Sequence, residues 1–68
     1  MKQIFYEVHS DLNPSYALKC FEGKGSKQAS IAFAKANKDK LTYVDRVVYY
    51  TPEEEYEYEC VYDWEVEE

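Results

Sequence analysis

Charged and uncharged positions alternate along the C-terminal part of the chain. From 55 to 67 the even positions are Tyr56, Tyr58, Cys60, Tyr62, Trp64 and Val66, and the odd ones are Glu55, Glu57, Glu59, Asp63, Glu65 and Glu67, interrupted only by Val61. Successive side chains of a β-strand point to opposite faces, so a period of two predicts one long strand with an aromatic inner face and a carboxylate outer face.

The same pattern, read elsewhere, predicts three more strands and a helix. Residues 2–9 alternate Ile4, Tyr6 and Val8 with Gln3, Phe5, Glu7 and His9. Residues 15–22 place Tyr16, Leu18 and Cys20 inward and Ala17, Lys19 and Phe21 outward. Between them Ser10-Asp11-Leu12-Asn13-Pro14 is a run of turn formers, so the two strands form a hairpin. Gly23-Lys24-Gly25-Ser26 breaks the alternation, with Ser26 placed as an N-cap for a helix over 26–38. On that helix Ala29, Ala32, Phe33 and Ala36 make the inward stripe and Lys27, Lys35 and Lys38 the outer one, with Ile31 out of place among the lysines. Residues 41–50 are rich in β-formers and make the third strand.

The loop Thr51-Pro52-Glu53-Glu54, with Pro52 suited to a type I turn, sets the register of the last hairpin by placing Tyr50 opposite Glu55. Counting back pairs Tyr49 with Tyr56, Val47 with Tyr58, Tyr43 with Tyr62 and Leu41 with Trp64 on the inner face. The outer pairs are Val48/Glu57, Arg46/Glu59, Val44/Val61 and Thr42/Asp63. Asp45 is the misfit, directed inward opposite Cys60, and a β-bulge there would repair it. The expected fold class is α+β: a single domain over 1–68, ordered β-β-α-β-β, with a four-stranded, mainly antiparallel sheet and one helix packed on one face. Phe5, Phe21, Val44, Val48, Tyr50 and Val61 are then expected on the open face, away from the helix.

Size and charge sharpen this picture. At 68 residues the chain is near the lower limit for a fold held by its core alone, and aromatics, at 18%, must fill much of that core. The formal charge of −6 is unevenly spread: residues 1–50 hold eight Lys/Arg and five acids, while 51–68 hold nine acids and no base. So steep an asymmetry points to a basic partner. With no bilayer-spanning apolar run, signal peptide or lipidation motif, a soluble cytoplasmic protein without membrane contact is expected. Cys20 and Cys60 read as buried free thiols, with a disulfide between neighbouring strands as the alternative.

Candidate chemistry is sparse. Gly23-Lys24-Gly25-Ser26 lacks the spacing of a phosphate loop and reads as a capped turn. His9 has no nucleophile or orienting acid implied beyond Ser10 and Asp11. Same-face acids on a strand lie roughly 6.7 Å apart and do not converge on a cation. No catalytic residue, metal or cofactor is therefore expected, nor an enzyme. The acid row itself costs about 0.6 kcal/mol per neighbouring pair in bulk water, and more near a protein surface. That repulsion reads either as protection of an edge strand against aggregation or as a docking surface.

In its size, composition and the acidic row over 53–68, the chain resembles the small acidic inhibitors of phages and mobile elements, anti-CRISPR and anti-restriction proteins among them. Such proteins occupy nucleic-acid-binding sites, some as DNA mimics. The resemblance implies a non-enzymatic binding protein, acting in the host cell if phage-encoded, whose acidic strand docks on the basic surface of a nucleic-acid-handling protein. The expected contacts are Glu55, Glu57, Glu59, Asp63, Glu65 and Glu67 for charge and Tyr50 and Val61 for apolar contact. The alternative is an interaction or structural module that homodimerises through its open sheet face, with the acids serving solubility. Direct nucleic-acid binding through Lys24, Lys27, Lys35, Lys38 and Lys40 is not expected, because the acid strand repels phosphate.

Overall fold

A computed structural model describes residues 1–13 and 15–66. The order is β1 (Lys2–Ser10), β2 (Lys19–Glu22), α1 (Ser26–Ala36), a short 3-10 turn (Lys38–Lys40), β3 (Thr42–Tyr50) and β4 (Glu55–Asp63). The strands form one antiparallel sheet in the order β2-β1-β3-β4, with the helix on one face. This is the α+β, β-β-α-β-β architecture that the alternation predicts.

Several boundaries differ for local reasons. β2 starts only at Lys19, although Leu18 already donates to the Val8 carbonyl at 2.7 Å; in the loop after β1, Ser10 Oγ donates to the Lys40 carbonyl and accepts from the Leu12 N–H. Gly25, not Ser26, is the N-cap; its left-handed φ of 78° suits glycine, and no side chain caps the helix. Leu41, expected to open β3, sits at φ 56° and closes the 3-10 turn. Thr51–Pro52 is cis, and Glu54 has φ 57°. β4 ends at Asp63, three residues before the last one described, and Glu67 lies outside the described residues.

The β3–β4 register follows the expectation from Tyr50/Glu55 through Asp45/Cys60 and then slips by one, so that Val44 faces Tyr62 and Tyr43 faces Asp63. Val61 is the extra residue, a β-bulge beside Asp45. Its effect is to turn both Val61 and Tyr62 towards the helix. The core is Val8, Ala34, Val44 and Tyr62, with Tyr6, Phe21, Ile31, Phe33 and Val61 packed against it.

This core overturns the assignment of faces. Phe21 and Val44 lie under the helix, Val48 and Tyr50 share their side of the sheet by register, and Val61 packs on the core. Of the six residues expected on the open face only Phe5 is there. The open face instead carries Val47, Tyr49, Tyr56 and Tyr58. Within the helix the buried positions are Ser30 and Ala34, flanked by Ile31 and Phe33, whereas Ala29, Ala32 and Ala36 are exposed. Ile31 is thus a core residue, and the true stripe is Ser30, Ala34 and Asn37, small enough for close approach. Ser30 Oγ donates to the Lys27 carbonyl at 2.8 Å, and buried Thr42 Oγ1 donates to the Ala34 carbonyl at 2.6 Å, so the polar groups under the helix are paired.

Size explains why the acids could sit on the helix side. An 11-residue helix is about 16 Å long, while nine-residue strands run about 30 Å. α1 lies over β1, β2 and β3 and meets β4 at Tyr62, over whose ring Lys35 Nζ sits. Beyond that footprint β4 is wet on both faces, so its acids do not mark the face opposite the helix. The assignment has a direct check in denaturant unfolding: Ala34→Leu should cost about 1–3 kcal/mol by overpacking, while Ala32→Leu should change stability by less than about 0.5 kcal/mol. The reverse ranking would restore the alanine stripe.

Candidate functional site

The acid row is divided by the bulge. Glu55, Glu57 and Glu59 share the helix-side face of β4 with Tyr50, opposite Tyr50, Val48 and Arg46 respectively. Asp63 falls on the opposite face, across from Tyr43, and its Oδ1 accepts the Glu65 N–H at 2.9 Å. Glu65 follows the strand and is exposed. Val61 serves the core rather than a surface. Among the described residues the acid strip is therefore Glu55, Glu57 and Glu59, continued into the hairpin loop by exposed Glu53 and Glu54.

Around this strip the surface is a shallow groove of about 390 Å³ lined by Arg46, Val48, Glu57, Tyr58 and Glu59. Val48 is its apolar floor, only 4% exposed. Tyr50 donates its hydroxyl to Glu57 Oε1 at 3.0 Å, and that bond, with Glu57's charge, pushes the phenol upward from its ordinary range. Arg46 stands across from Glu59 without a salt bridge between them. The three strip carboxylates are not tied off by the protein's own lysines.

The other face of the same hairpin is aromatic. Tyr49 and Tyr56 stack at 4.6 Å between centroids and Tyr56 and Tyr58 at 6.1 Å. Tyr56 is 53% and Tyr58 63% exposed. β4 thus carries carboxylates on one side and accessible tyrosines on the other.

A second group emerges across the middle of the open face. Register brings Cys20, Glu7, Asp45 and Cys60 into one row across all four strands. His9 is not alone: its Nε2–H donates to Glu7 Oε1 at 3.0 Å and its ring stacks on Tyr43 at 5.3 Å, while Nδ1 is buried without a partner. Glu7, two residues away on the same strand face, was the sequence signal for this pair. Among the described residues no three His, Cys, Asp or Glu side chains are placed to hold a metal ion.

Both cysteines are free and exposed, contrary to the expected burial. They occupy opposite edge strands, separated by three interstrand spacings, about 14 Å, too far for a disulfide. Desolvation pushes both thiols up, with Glu7 adding to the shift at Cys20 and Asp45 and Asp63 at Cys60, where a backbone hydrogen bond opposes it. Little thiolate is then present at neutral pH.

Asp45 is raised from the usual carboxylate range, chiefly by burial, against the lowering effect of His9 and with Glu7 adding to the rise. The folded state therefore holds this proton more tightly than the unfolded chain. Stability is lost as pH rises from the ordinary carboxylate range through the raised value, and the loss persists above it. Asp45→Asn should raise Tm at neutral pH, the gain vanishing below the carboxylate range. A lower Tm at neutral pH would mean that the charge on Asp45 is stabilising.

Compared with protein-family models, with curated proteins and with solved structures, the chain finds no match. No helix among the described residues is long and apolar enough to cross a membrane.

Proposed function

We propose that the protein is a non-enzymatic binding protein whose β4 hairpin docks on a basic, nucleic-acid-binding surface of a protein partner. The observation that carries this reading is the strip Glu55, Glu57 and Glu59, with Glu53 and Glu54 at the tip, held in solvent without salt bridges to the chain's own cations. Successive strip carboxylates stand roughly 6.7 Å apart, close to the spacing of phosphates along one nucleic-acid strand, so they offer a basic groove a comparable row of anions. Association through such a row is fast and weakens with salt.

The basic helix lies on the same side of the sheet as the strip, and Lys35 reaches the ring of Tyr62 at 6.0 Å. Phosphate drawn to that helix meets the acids beside it, which favours a protein partner over direct contact with nucleic acid.

A second reading, a homodimer through the open face, draws on the exposure of Tyr56 and Tyr58. The dimer surface is then Tyr49, Tyr56 and Tyr58, and not Val44, which the helix covers.

Capture of partners from a lysate of the source cell separates the two. The E55Q/E57Q/E59Q variant should lose most recovery, as should the wild type at high salt, while sedimentation reports a monomer. Undiminished recovery by the variant, or a dimer dissociated by Tyr58→Glu but not by the triple change, would replace the first reading with the second.

A further inference from the structure

The hydrogen-bond ladder determines which backbone groups of β4 are free. In an antiparallel pair, hydrogen-bonded and non-bonded residue pairs alternate. At the ends of the β1–β3 ladder Thr51 donates to the Met1 carbonyl at 2.9 Å and Asp11 to the Leu41 carbonyl at 3.0 Å. The odd residues of β3 therefore bond to β1, and the even ones, from Thr42 to Tyr50, turn their N–H and C=O towards β4. The Trp64 N–H donating to the Thr42 carbonyl at 3.1 Å agrees. By register Tyr50, Val48 and Arg46 bond to Glu55, Glu57 and Glu59. Tyr56, Tyr58 and Cys60 are left with their main-chain N–H and C=O on the outer edge of the terminal strand, where no other strand among the described residues pairs.

This free edge has two unlike sides. A strand added to it would hydrogen-bond Tyr56 and Tyr58 through residues whose side chains lie on the tyrosine face. The residues between those would stand beside Glu55, Glu57 and Glu59 on the acid face, because directly opposed residues share a face. The edge therefore reads a pattern with a period of two: a cation at every second position and an apolar side chain between. The bulge at Val61 ends the regular edge after Cys60.

Two other uses of the edge fit less well. Pairing β4 with β4 of a second copy would lay one acid row beside another, which is destabilising. Protection against aggregation calls for charge on an edge, but not for two tyrosines more than half exposed on its other side.

We propose that β4 takes an extended segment of its partner, with Lys or Arg at every second position, as a fifth strand of the sheet. This rests on the reading of β4 as the docking element and names the form of what docks.

The test uses the full chain and synthetic peptides, with binding followed by calorimetry. Lys-Val-Lys-Val-Lys-Val-Lys is compared with the block peptide Lys-Lys-Lys-Lys-Val-Val-Val, which has the same charge. The alternating peptide should bind at least about tenfold tighter, a difference of about 1.4 kcal/mol. Main-chain N-methylation at its valines, which face Tyr56 and Tyr58, should abolish the advantage, and N-methylation at its lysines should not. Equal affinity of the two peptides, or equal effects of the two methylations, overturns strand addition. If both peptides still lose affinity with E55Q/E57Q/E59Q, the acidic docking reading stands without it. Absence of binding by either peptide overturns strand addition, and an unaltered capture of partners by the triple variant overturns both.

Discussion

A short helix on a longer sheet governs this molecule. Eleven helical residues cover the ends of β1 and β3 that meet at Val8 and Val44, together with β2, and leave Glu55, Glu57 and Glu59 of β4 to solvent. The dry part of the sheet is built from small helical positions, Ser30 and Ala34, pressed onto valines, with Tyr62 as the one large aromatic closing the β4 side. The wet part is free to carry charge. The proposed docking strip and the core thus occupy different halves of the same hairpin.

The bulge at Val61 is the hinge between those halves. Before it, β4 keeps strict alternation, with glutamates on the helix side and tyrosines on the open side. After it, Val61 and Tyr62 both join the core, and Asp63 moves to the other face. Without the slip Val61 would stand opposite Val44, Tyr62 would turn to the open face, and Asp63 would fall on the helix side opposite buried Thr42. A buried carboxylate there would cost several kcal/mol. The bulge allows a single strand to end in the core and begin in water.

The element order, the last hairpin and its register as far as Asp45 and Cys60 were legible in the sequence, because loop length and a period of two act locally. The assignment of faces was not. β3 is apolar on both sides, Val44 and Val48 against Val47 and Tyr49, so it has no solvent face to read. The acids of β4 report solvent, yet beyond the helix both faces of an edge strand are solvated, so solvent and open face are not the same thing there. The helix stripe was lost because serine and alanine carry almost no hydropathy contrast, and Ile31 and Phe33 then bracket the true stripe. The His9–Glu7 pair was legible from its spacing on β1; the place of Glu7 between Cys20 and Asp45 depends on strand order, which a single sequence does not contain.

Hydrogen exchange of the β4 amides, resolved residue by residue by NMR, tests the central claim most directly. A terminal strand bonded on one side only should show alternation: Glu55, Glu57 and Glu59 protected, Tyr56, Tyr58 and Cys60 exchanging at rates near those of exposed amides. Protection of all six amides would mean that the edge is already covered, and protection of the tyrosines instead of the glutamates would mean that the register is wrong by one residue.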